Sequence, residues 1–124
     1  MPRACGDGIQ LQQVLLNLIV NALDAVSRCP PDTRLVVVQT RMASPGRLEV
    51  SVTDSGEGIA ATDIERVFEP FFTTKVQGLG MGLALSRTIV ESHGGRLWAE
   101  HRPGEGATFR CALPVWEEDA RTAR

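Results

Sequence analysis

A chain of 124 residues, 43% hydrophobic and 23% charged, holds apolar material for one core and too little for two, and this composition excludes a disordered tail. At a net charge of −2 nothing in the composition demands nucleic acid or an anionic membrane as partner. The three cysteines, Cys5, Cys29 and Cys111, are too widely spaced for a disulfide framework or a zinc site and point to a reducing compartment. Neither a bilayer-spanning run nor a signal peptide is read along the chain.

Residues 8–28 are predicted to form one long helix, because Val14, Leu15, Leu18, Ile19, Ala22 and Val26 recur at three- and four-residue steps. Cys29-Pro30-Pro31-Asp32 stops it. A valine-rich strand follows at Leu35–Gln39, then a turn at Ser44-Pro45-Gly46 and an alternating strand at Leu48–Val52, the two forming a hairpin. A glycine-bearing loop at 54–58 leads to a short helix near 61–67. Residues 68–82 show no clean period and read as a long functional loop. Leu83–Ser92 is a second long helix, closed by Gly94-Gly95. Arg96–His101 and Ala107–Pro114 form a second hairpin, and a polar tail occupies 117–124 after a domain of residues 1–116. The expected class is α+β: a two-layer α/β sandwich, its sheet mixed but mostly antiparallel, with helices on one face.

Four segments carry candidate chemistry. On the first helix Gln10, Gln13, Asn17, Asn21 and Asp24 fall within roughly 80° of one another at 100° per residue. Such a stripe is either solvated or a set of neutral oxygen ligands, with Asn17 and Asn21 side by side, of the kind Mg²⁺ accepts beside phosphates. Asp54-Ser55-Gly56-Glu57-Gly58 is turn chemistry, or a carboxylate that accepts from an exocyclic amine beside glycines passing close to a flat ring. Gly78-Leu79-Gly80-Met81-Gly82 precedes a helix, as a hinge or as a phosphate cradle. In Phe68-Glu69-Pro70-Phe71-Phe72-Thr73-Thr74-Lys75, Phe71 and Phe72 either anchor the loop or close over a ligand.

The order of these segments resembles one family. Leu11–Ala22 resembles the asparagine box of sensor histidine kinases, Asp54–Gly58 their first glycine box, Phe68–Lys75 their phenylalanine box and Gly78–Gly82 their second glycine box. Gly106-Ala107-Thr108-Phe109 resembles the closing Gly-Thr motif. The nearest likeness is to the nitrogen- and oxygen-regulating kinases, within a superfamily that includes gyrase, a heat-shock chaperone and mismatch-repair ATPases. The resemblance implies that Asn21, with Asn17 beside it, coordinates Mg²⁺ and that Asp54 holds the adenine amine of ATP. It implies that Gly56 and Gly58 pass the nucleotide closely, and that Gly78, Gly80 and Gly82 hinge a long ATP lid carrying Phe71 and Phe72. Lys75 would reach the terminal phosphate and Thr108 the adenine end.

Two departures stand out. Asp24 and Ala25 occupy positions where many such kinases have a lysine and an aromatic residue, and Ala107 a position that is often Thr or Ser. The resemblance further implies γ-phosphoryl transfer to a histidine on a separate dimerisation domain, a response regulator downstream, and a cytoplasmic location. His93 and His101 lack the helix-borne His-Glu or His-Asp context of an acceptor. The competing readings are an ATP hydrolase or a serine kinase of the same superfamily, both with glutamate at position 17, and a binding module without catalysis. Position 17 is an amide here and takes no proton. Domains of this family place a strand ahead of the asparagine helix, and Pro2–Asp7 suit one poorly. An uncovered sheet edge, open to self-association, is therefore expected.

Overall fold

The computed structural model describes residues 8–69, 82–102 and 106–114. Helix α1 (Gly8–Val26) is followed by the antiparallel hairpin β1 (Val36–Ser44) and β2 (Arg47–Asp54). Helix α2 (Gly82–Ser92) leads into the hairpin β3 (Arg96–Arg102) and β4 (Gly106–Pro114). The hairpins join through β2 and β4, giving one sheet in the order β1-β2-β4-β3, and all three described pairings are antiparallel. Both helices lie on one face, α1 against β2 and α2 against β3, as expected for a two-layer sandwich.

The alternation of each strand decides which side chains meet the helices. Val52, Leu97, Ala99, Ala107, Phe109, Cys111 and Leu113 point inward to Val14, Leu18 and Ala22 of α1 and Ile89 and Val90 of α2. The i, i+4 spacing of the α1 set is a single helix face, so packing and not propensity holds the helix in place. The same 19-residue helix is by length and composition apolar enough to cross a membrane, contrary to the sequence reading. Its core face and its amide stripe place it instead as a core helix of the sandwich.

The opposite sheet face is polar. Glu49, only 6% exposed, accepts from Arg110 at 2.9 Å and from Arg41 at 3.2 Å, and Arg110 also meets Glu100 at 2.9 Å. Neighbouring strands thus neutralise one another's charges, which lets a carboxylate stay buried without a helix above it. The carboxylates beside Arg110, Glu100 foremost, hold its guanidinium above its ordinary pKa. A depression of about 340 Å³ on this face is lined by Val37, Gln39, Ser51, Thr53 and Arg110. Two of its polar side chains are already partnered, Arg110 to carboxylates and Thr53 to Thr108.

Two expectations change. The helix near 61–67 is two 3₁₀ turns, Ala61–Asp63 and Arg66–Phe68, short pieces in which the chain bends to return Phe68 to the core. Nor does α1 bury all its apolar residues: Leu16, Val20 and Leu23 are each more than half exposed. A helix resting on a sheet can turn only one face to it, and the sequence carries an apolar stripe on the outer face as well.

Candidate functional site

A cleft of about 100 Å³ opens between the C-terminal half of α1, the loop after β2, the start of α2 and the start of β4. Its polar lining is Asn21, Asp24, Arg28, Asp54 and Glu57; its apolar lining is Ala25, Ile59, Val67, Leu83, Ala107 and Phe109. Asp54 lies at the end of β2 and is 3% exposed. Its Oδ1 accepts from the Gly56 N–H at 2.9 Å. Burial pushes its carboxyl above its ordinary pKa, and the Gly56 and Ala107 backbone N–H groups partly offset that. A buried carboxylate beside an apolar wall is an acceptor waiting for a donor on a flat apolar ligand.

Close backbone packing holds this loop. A Cβ on Gly56 would sit 2.8 Å from the Ala25 carbonyl oxygen of α1. A Cβ on Gly58 (φ +84°) would lie 3.0 Å from the Gly106 carbonyl oxygen, and a Cβ on Gly106 (φ +90°) would strike the Asp54 carbonyl oxygen. Glycine is the residue that fits where chains cross this closely. The glycines read as passing a ligand therefore also pass the protein's own backbone.

The two asparagines differ in their contacts. Asn17 Nδ2 donates to Ser86 Oγ at 3.0 Å and to the Gly82 carbonyl at 3.4 Å, while its Oδ1 accepts from Gln13 Nε2 at 3.1 Å. Its amide ties α1 to the first turn of α2, and Ser86 beneath it is fully buried. Asn21, one turn on, lines the cleft. Gly82 is the first residue of α2 and its carbonyl is part of the Asn17 contact. Phe68 is buried edge-on against Phe109, with centroids 6.0 Å apart, and the Arg87 guanidinium covers its other side at 4.5 Å. Phe71, Phe72, Lys75, Gly78 and Gly80 lie outside the described residues, as does the polar tail.

Thr108 is not among the residues lining the cleft. It is buried, but its hydroxyl bonds Thr53 at 3.0 Å on the outer sheet face, while its neighbours Ala107 and Phe109 line the cleft. Strand parity decides this: Ala107, Phe109, Cys111 and Leu113 point inward, so Thr108 and Arg110 point outward. That alternation was available in the sequence. The cleft position of the closing motif is Ala107. His93 stands apart from the cleft, its Nδ1 2.7 Å from the Ile89 carbonyl, so that ring nitrogen carries its proton and caps the end of α2. A polar cleft-lining residue that the sequence reading did not single out is Arg28, whose signal was its seven-residue step from Asn21.

Fold and cleft together define a two-layer α/β nucleotide-site domain with a buried carboxylate at the base of its pocket. Residues 6–117 match the family described as histidine kinase-, DNA gyrase B-, and HSP90-like ATPases, and the chain belongs to it. It is 46% identical over 113 residues to the sensor protein FixL of Bradyrhizobium diazoefficiens, covering 91% of this chain and 22% of that protein. Among solved structures it resembles the mycobacterial sensor histidine kinase MprB, with a TM-score of 0.81 and 31% identity over 90% of this chain and 76% of that one. Full-length ShkA in complex with AMPPNP superposes with a TM-score of 0.79 at 30% identity, covering 93% of this chain and 23% of that one. The chain thus spans about a fifth of the length of its full-length relatives.

Proposed function

We propose that this chain binds Mg-ATP in the cleft and positions the γ-phosphoryl group for transfer to a histidine on a separate dimerisation domain of a two-component sensor kinase. The observation that carries the reading is Asp54, a buried carboxylate at the cleft floor, with Asn21 further along the same cleft. Asp54 accepts from the adenine amine, and the apolar wall takes the ring. The protein supplies positioning and charge neutralisation, because the transferred group is loosely bonded in the transition state. Among the described residues no cluster of three His, Cys, Asp or Glu side chains could hold a metal. The neutral Asn21 amide oxygen in the cleft fits an ion held mainly by phosphates, with that oxygen as a protein ligand. Such an ion would neutralise phosphate charge when bound.

Asn17 serves as a positioning residue beside Asn21. The same reading takes Lys75, Phe71, Phe72, Gly78, Gly80 and Gly82 as nucleotide contacts, within a catalytic domain of residues 1–116. A response regulator would take the phosphoryl group from the histidine, and the free thiols Cys29 and Cys111 suit the cytoplasm. Hydrolysis is disfavoured, because a water-activating base is needed where Asn17 stands.

Asn21→Ala should weaken Mg-ATP by roughly tenfold and Mg-free ADP by less than about twofold, the difference being one lost metal ligand. Calorimetry with and without Mg²⁺ reads this, and equal losses in both would remove the metal role. Given radiolabelled ATP, the domain should label a separately supplied dimerisation domain slowly, because tethering is absent. Fast hydrolysis without any labelling would overturn the kinase reading.

A second contact is proposed at the sheet edge. Among the described residues β1 has one neighbour, β2, and it exposes Val38 and Met42 while α1 exposes Leu16, Val20 and Leu23. An apolar surface beside an open edge favours pairing with another chain. Light scattering across a concentration series should show reversible self-association, reduced by Val20→Glu. A monomer at every concentration would end the idea.

A further inference from the structure

We propose that Arg28 is the residue that covers the nucleobase, stacking its guanidinium on the ring from the α1 side of the cleft. The proposal rests on the nucleotide reading above and adds a specificity-determining residue to it.

Among the described cleft-lining residues Arg28 is the one cation, beside the carboxylates of Asp24, Asp54 and Glu57. The one described aromatic lining the cleft, Phe109, is already engaged edge-on by Phe68. On the α1 side the wall is Ala25, a methyl group, which leaves the ring face uncovered there. Arg28 follows Ala25 by three residues, just past the last turn of α1, and both line the cleft.

Position along the helix separates the base end from the phosphate end. Ala25 packs against Gly56 of the loop whose Asp54 accepts the amine, so this stretch of α1 flanks the base. Asn21 lies toward the start of α2, where Asn17 meets Gly82 and Ser86. The five helical steps from Asn21 to Val26 span about 7.5 Å along the axis, and Arg28 lies beyond them. Between them stands Asp24, a carboxylate that repels phosphate and tolerates a base. The Asp24–Arg28 contact is 3.9 Å between side chains 41% and 42% exposed, too long and too solvated to fix the guanidinium. Its planar face is therefore available, and a guanidinium stacks on an aromatic face where an ammonium offers only a point charge.

The test uses adenosine and Mg-ATP with the same chain, titrated by NMR. Arg28→Ala should weaken both ligands by the same factor, about threefold, because the contact is to the base and adenosine carries no charge. Arg28→Lys should recover only part of the loss. The side chain is exposed, so the melting temperature of the free domain should hold. A loss for Mg-ATP with none for adenosine would make Arg28 a phosphate contact and overturn the proposal, as would unchanged binding of both. A wild-type chain that binds neither ligand would remove the nucleotide reading itself, and this proposal with it.

Discussion

Asp54→Asn is expected to lower ATP affinity by roughly 10- to 100-fold, the weight of one hydrogen bond to a charged acceptor, without lowering the melting temperature of the free domain. The two halves have one cause. Asp54 is 3% exposed, and burial pushes its carboxyl above its ordinary value of 3.8. The folded state therefore holds the proton more tightly than the unfolded state. Stability from this group is fully present below 3.8 and is lost as pH rises through the higher folded value. At neutral pH the ionised form carries the desolvation cost, and the amide removes it while still accepting from the Gly56 N–H. The ligand reverses the account. An adenine amine needs an acceptor, and the amide nitrogen would place donor against donor.

Affinity of the wild type should also fall as acid protonates Asp54, and that acid limb should vanish in Asp54→Asn. GTP, whose ring offers no amine at the equivalent position, should bind the wild type far more weakly than ATP. Calorimetry across pH together with thermal melts checks all of this. Unchanged ATP affinity in the variant, or equal binding of GTP and ATP, would remove Asp54 from base recognition.

The second large effect is on stability. Gly106→Ala should cost about 2–4 kcal/mol, against about 1 kcal/mol for Gly46→Ala, from the usual penalty of a left-handed non-glycine residue. The pair separates two contributions. Gly46 has φ +81° with no atom within 4 Å of an added Cβ, so it reads the backbone preference alone. Gly106 has φ +90° and would also press a Cβ against the Asp54 carbonyl oxygen. The excess is the cost of parting β4 from the end of β2, and it falls on Asp54, the residue proposed to hold the base. Urea unfolding gives both values, and Gly106→Ala should weaken ATP binding as well. Equal costs at the two positions would mean that the crossing at Asp54 relaxes freely.

Periodicity made the helices and both hairpins legible, because burial on one face imposes its own repeat on the chain. The Val14-Leu18-Ala22-Val26 face is written in the residues themselves, as is the Pro45-Gly46 turn that closes β1 on β2. The ordered set of boxes along the chain, from the asparagine box to Phe109, carried the family as well. Asn21 and Asp54 could be singled out because an amide inside an apolar helix and a carboxylate at a strand end are costly unless they serve something. What only the tertiary structure decided is where distant segments meet. The β2–β4 pairing joins residues some 60 positions apart, and no local pattern encodes which hairpin edge faces which. That pairing sets the crossing of Gly106 over Asp54, and with it the cleft. Packing also divided the two asparagines, since Ser86 arrives beneath Asn17 and not beneath Asn21. It left Leu16, Val20 and Leu23 outside, and it brought Arg28 to the cleft. Composition lists these side chains, but their neighbours follow from long-range contacts that the chain makes only once it is folded.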